Sequence, residues 1–190
     1  MDGEEWETVE DEYTANNLIT TAKKNIKSNN KLIVSASKAL EKGKMTQDNY
    51  DDYVNDLKDQ NKLLEDGIKG IKKMGTDSQI FHFNIDKNRT HHNVTIVNKN
   101  GKQVISINVN EMKNIQWHEC IHVIDYLNKP TEHNFNDVGW LGSINSILAE
   151  THAYRSEWSF YHDKERFPKI NRLYHINDSF IRKRKELDRE

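Results

Sequence analysis

The chain has 190 residues, enough for one domain with a real core and too few for two large independent ones. Its 28 basic and 30 acidic residues leave a net charge of -2, so no global field attracts nucleic acid or an anionic membrane, and no window approaches the roughly 20 apolar residues that span a bilayer. A single cysteine, Cys120, excludes an internal disulfide; with no basic-then-apolar leader at the N-terminus, the expectation is a cytoplasmic protein, or one delivered without a classical signal peptide.

Residues 1–13 are acidic, lack apolar periodicity and read as a mobile tail. Leu18, Ala22, Ile26, Ile33, Ala36 and Leu40 then recur at helical spacing, interrupted by Asn29. A glycine-containing break follows, Thr46 reads as an N-cap, and Tyr50, Tyr53, Val54, Leu57, Leu64, Ile68 and Ile71 form a second stripe. Two amphipathic helices joined by a short turn predict a helical hairpin over 14–75. Packing is its plain role; its sharper one is a surface for a protein partner, or an inhibitory element.

After Gly75 the period changes from helical to alternating. Phe81, Phe83 and Ile85 alternate with His82 and Asn84; Val94 and Ile96 follow; Ile105, Ile107 and Val109 alternate with Ser106 and Asn108. Asn100-Gly101 predicts a two-residue hairpin turn, since both tolerate the positive φ of type I′. A helix over 112–127 ends at Asn128 and Pro130, a polar loop carries His133 and Gly139, and a second helix is expected over about 143–163. One more helix precedes a charged end whose RKRK run reads as solvated.

The stretch WHECIHVIDYL, 117–127, carries the chemistry. His118, Glu119 and His122 spell H-E-x-x-H, and on a helix the two imidazoles project from one face one turn apart, where they can hold one ion. Glu119 is badly placed to join them but can reach a water on that ion. Trp117, Cys120, Ile121 and Ile124 anchor the helix in a core. A catalytic zinc has three protein ligands and an open position, so a third ligand is required. The extended signature ending in a further histidine is excluded, because Asp125 and Asn128 occupy its glycine and histidine positions. Glu150, in SILAETHAYRSEW, is the candidate, with Glu157 on the same face as substitute ligand or as a hydrogen-bond acceptor for an imidazole.

The pieces HECIH and ETHAYRSE resemble the zincin metallopeptidases of the glutamate-ligand class, the gluzincins, and particularly small bacterial toxin and effector versions in which an E-x-x-A-Y piece follows. The likeness covers roughly 80–165 and omits the helical hairpin. It implies an α+β fold, with a small antiparallel β-sheet packed on two metal-bearing helices, over 76–190. It also implies Zn2+ held by His118, His122 and Glu150, Glu119 as general base, and a protein or peptide substrate.

Asp125 either orients an imidazole or decorates its helix, while Tyr154, Tyr161, His162, Tyr174 and His175 are all candidates for donating to an oxyanion. The strand around 105–110 is expected to pair with an extended substrate. His91 and His92 read as solvated. The competing function is a non-catalytic, zinc-stabilised binding module that works through the hairpin and closes its metal site with His133 or His152.

Overall fold

The computed structural model describes residues 6–136, 139, 141–143, 146–162, 167 and 170–187. Expectations placed on residues 1–5, Ile144, Asp163 and 188–190 lie outside them. The elements run α1 (Val9–Glu41), α2 (Gln47–Met74), β1 (Ile80–Ile85), β2 (Asn93–Lys99), β3 (Lys102–Val109), α3 (Lys113–Asn128), β4 (His133–Phe135), β5 (Leu141–Ser143), α4 (Ser146–Phe160), a 3-10 turn (Leu173–His175) and α5 (Asp178–Leu187). The fold is α+β. Among the described residues no helix is long and apolar enough to cross a membrane.

The supposed tail is structured from Trp6 onward. Thr8 and Asp11 form a reciprocal capping box that starts α1 at Val9. Asp11 is buried because it also accepts from Phe83 N at 2.7 Å, which ties the cap to β1. Trp6 bridges to Phe81 and stacks on Phe83 with ring centroids 5.6 Å apart. No run of apolar neighbours announces Trp6, so periodicity could not find it.

The helical hairpin shares its core with the rest of the fold. Leu18, Ala22, Leu64, Ile71 and Met74 belong to the same buried cluster as Phe81, Ile105, Trp117 and Ile121. Asn29, which interrupts the apolar stripe of α1, is buried between the helices and donates to Asn61 Oδ1 at 3.0 Å, while Asn61 donates to Asn30 Oδ1 at 2.9 Å. A satisfied polar layer of this kind fixes the register of two packed helices. Asn25 donates to the carbonyl of Phe160, tying α1 to α4.

The three-stranded sheet has the order β1-β3-β2, with β2 antiparallel and β1 parallel to β3. The small antiparallel sheet expected is antiparallel only between β2 and β3; with β1 parallel to β3 it is a mixed sheet. The β2–β3 turn is as read, with Asn100 at φ 53° and Gly101 at φ 80°. β1 departs from the expectation because it skips β2 and takes the far side of β3, a non-local pairing that no turn signal specifies. One sheet face (Phe81, Phe83, Val94, Ile105, Ile107, Val109) packs into the core. The other is polar, with Asn108 bonded to Asn84, Asn93 and Thr95.

Candidate metal centre

α3 and α4 face each other with polar stripes at helical spacing. Asn114, His118, His122 and Asp125 lie along one; Glu150, Tyr154 and Glu157 lie along the other, with His152 off to its side. Contacts run in opposite chain directions, as antiparallel helices require. Asn114 Nδ2 donates to Glu157 Oε1 at 3.0 Å, His118 Nδ1 donates to Glu157 Oε2 at 2.9 Å, and His152 Nδ1 lies 2.9 Å from Asp125 Oδ2. Both helices are buried on most of their remaining circumference, which holds the stripes in place. Trp117 stacks on Phe160 at 4.6 Å and donates to Ser156 Oγ at 2.9 Å, locking the residue that precedes His118.

The trio His118, His122 and Glu150 converges. His118 Nε2 and His122 Nε2 are 3.2 Å apart, and Glu150 approaches the first with Oε2 at 3.5 Å and the second with Oε1 at 3.7 Å. A tetrahedral zinc with ligands at about 2.0–2.1 Å separates its ligand atoms by about 3.4 Å. Those three distances bracket that value. Each residue offers its atom within 4.8 Å of the others, and among the described residues no fourth His, Cys, Asp or Glu joins this group. The donor set, two imidazoles and a carboxylate, suits zinc.

Burial and the surrounding charges shift the two imidazoles in opposite directions. Burial on its own would lower the pKa of His118. Hydrogen bonds to Glu150 and Glu157 and the charges of Glu157 and Glu119 overcome that burial, and the pKa stands well above the ordinary imidazole value. His122 is pushed down to about 4 by burial and by the charges of His118 and His133, against the pull of Glu150 and Asp125. The close pair therefore keeps a proton on one ring. Cys120 is buried in the core, where burial and the charge of Glu119 push its thiol up strongly, and its sulfur is not among the donor atoms that converge with His118, His122 and Glu150.

The trio opens into a cleft of about 650 Å³ that also exposes Glu119, Tyr154, His91, His92, His133 and Arg184. Glu119 thus sits beside the trio without belonging to it. The Tyr154 ring meets His118 edge-on at 4.6 Å. No family model, curated protein or solved structure matches this chain.

Several expected roles move. Asp125 orients His152 and not a ligand imidazole, and both line a different cleft, between α2 and α4. His175 accepts from Asn171 N in the 3-10 turn region, Tyr174 lines that second cleft, and His162 stacks on Trp158. Tyr161 is exposed and, like His162 and His175, stands outside the cleft of the trio. Of the proposed oxyanion donors only Tyr154 lines it.

His91 and His92, expected in solvent, line the cleft, as does His133, whose Nδ1 lies 3.2 Å from the Lys129 carbonyl and whose buried Nε2 has no partner among the described residues. Arg184, from the run read as solvated, enters it too. β3, the strand expected to receive substrate, is central and paired on both sides, so it cannot. β2 is the edge, with Asn93 and Val94 in the cleft wall.

Proposed function

We propose that the chain is a zinc-dependent peptidase, the activity its motif resembles. One observation carries the reading: the two imidazole Nε2 atoms stand 3.2 Å apart with the two carboxylate oxygens of Glu150 at 3.5 and 3.7 Å from them, in an open cleft with Glu119 next to them. Zinc held there would supply a Lewis acid and bring hydroxide within reach of neutral pH. The chain's own residues do the rest. Glu157 fixes His118 through Nδ1 and leaves Nε2 toward the cleft. Glu119, buried but cleft-facing, takes a proton from the attacking water and returns it to the departing amine.

A peptide substrate is supported by the edge of β2. Ile96 N donates outward to Gly139 O at 2.8 Å, which occupies that end of the edge. Val94, two residues nearer the cleft, presents its backbone groups on the same outward side, because antiparallel pairing alternates. An extended peptide laid there adds a strand and brings a carbonyl to the trio. The toxin or effector setting follows only from the resemblance.

The test is cleavage of an unstructured protein by the zinc-loaded chain and by Glu119→Gln. The variant should keep its zinc and lose about a hundredfold or more in rate. Undiminished cleavage by Glu119→Gln rejects the mechanism.

A further inference from the structure

The outer edge of β2 is closed partway along its length. Ile96 N donates to Gly139 O at 2.8 Å, and Gly139 is held there by its own turn, its N–H donating to Asn136 O at 2.8 Å. The seat fits a glycine: φ is 77°, and a Cβ would stand 2.9 Å from the Ile96 carbonyl oxygen. Gly139 therefore covers both outward backbone groups of Ile96. Leu141 and Gly142, which follow it in the chain, line the cleft, so the hairpin that closes the edge is also a wall of the cleft. On the cleft side of that closure, Val94 is the outward-facing position of β2.

We propose that the cleft takes a peptide by its N-terminus, so that the substrate is a chain that ends at Gly139 and not one that passes through. Of the two ways to add a strand, antiparallel pairing is the more stable. β2 runs from Asn93, in the cleft wall, toward Lys99, so a peptide laid antiparallel to it points its N-terminal end at Gly139. Val94 and Ile96 are two residues apart, about 7 Å along a strand, which leaves room for roughly two residues beyond the one that pairs with Val94. Anything longer on that side meets the backbone of Gly139. At the other end the cleft is lined by Thr90 and His91, both exposed, where the rest of the substrate leaves into solvent. The proposal rests on the peptidase reading for its substrate class, yet it concerns recognition and is tested by binding.

The probe is one alanine-rich segment displayed by a folded carrier protein in three ways: as a free N-terminus, as a free C-terminus, and in an internal loop. Binding to immobilised zinc-loaded Glu119→Gln protein, which does not turn the segment over, is read by interferometry. The carrier with the free N-terminal segment should bind about tenfold or more tightly than the other two, which lose the strand hydrogen bonds when the carrier body meets the hairpin. Gly139→Ala in the same background pushes a Cβ against the Ile96 carbonyl and loosens the closure. The Ile96 amide should then exchange with deuterium faster, and the preference for the N-terminal segment should shrink with it, while zinc stoichiometry is unchanged.

The three carriers decide the proposal without that variant. Equal affinities, no measurable binding of any carrier, or a preference for the C-terminal or the internal segment each overturn it, as does a preference that outlasts the protection of the Ile96 amide in Gly139→Ala. If the wild-type chain cleaves nothing while the preference for a free N-terminus persists, the peptidase reading falls and the recognition of a chain end stands.

Discussion

His118 Nδ1 donates to Glu157 Oε2 at 2.9 Å, and this contact fixes which ring nitrogen faces the cleft. Glu157 is fully buried, and its other oxygen accepts from Asn114 at 3.0 Å, so each carboxylate oxygen meets a donor. In Glu157→Gln an amide N–H must face one of those donors. Zinc affinity should fall about tenfold to hundredfold, the usual effect of losing a carboxylate behind a ligand histidine. Chelator competition measures it; unchanged affinity would remove Glu157 from the centre.

Glu150→Ala acts on the trio itself. Two imidazoles 3.2 Å apart then remain without the carboxylate that completes three ligands. The loss of zinc should exceed that of Glu157→Gln, and metal analysis after gel filtration should find the variant well below one zinc per chain. A variant that retains a full complement would show that another residue supplies the third ligand.

Zinc uptake should depend on pH, with a sign fixed by His118. Its pKa is raised in the metal-free chain, so near neutrality its ring holds a proton that a cation must displace. His122, pushed down to about 4, holds none there. Affinity should therefore rise with pH while His118 remains protonated, by about tenfold per unit for the one proton released, and flatten above its pKa. Titration calorimetry in buffers of different ionisation enthalpy counts that proton. An affinity indifferent to pH, with none released, would contradict the pairing of His118 with Glu150 and Glu157.

The helices, the Asn100-Gly101 turn and the convergence of His118 with His122 were legible because each is a short-range pattern: a period, a dipeptide, a four-residue step on one helix. Glu150 was legible as a position on a facing helix. What escaped depends on contacts distant in sequence. The parallel pairing of β1 with β3 has no local mark. Trp6 and Asp11 look like tail residues until β1 meets them. Arg184 sits in a run of like charges, and only the packing of Ile181 and Phe180 decides that it turns into the cleft. Asp125 and Glu157 were both candidates for an imidazole; the meeting of α3 and α4 assigned Asp125 to His152 and Glu157 to His118.

Gly67 is a similar case, a helix-interior glycine whose reason lies across an interface. Alanine in a helix interior is ordinarily favoured over glycine by about 1 kcal/mol. Here an added Cβ would stand 2.3 Å from Cζ2 of Trp117. That ring is fully buried, stacked on Phe160 and bonded to Ser156, so it has nowhere to go. Gly67→Ala should destabilise the protein by about 1–3 kcal/mol, the usual result of overpacking, seen as a lower melting temperature. Because Trp117 precedes His118, zinc affinity should fall as well. A stabilised variant would mean that α2 and α3 are further apart than described.

The helical hairpin was the natural candidate for removal, as an appendage or an inhibitor. Its burial predicts instead that residues 75–190 do not fold alone. Leu18, Leu64, Ile71 and Met74 are almost completely buried, and the surfaces they cover belong to the sheet and to α3. Each such side chain contributes about 1.5–3 kcal/mol, so four of them amount to about 6–12 kcal/mol, comparable with the whole stability of a domain at about 5–15 kcal/mol, before the contacts of Asp11 and Asn25 are lost as well. The truncated chain should lack near-ultraviolet circular dichroism and cooperative melting, and should bind zinc no better than an unfolded peptide. Co-expression with the hairpin as a separate chain should restore both, since the interface is apolar and complementary. A truncated chain that melts cooperatively and holds one zinc would establish the hairpin as separable, and would reopen a regulatory role for it.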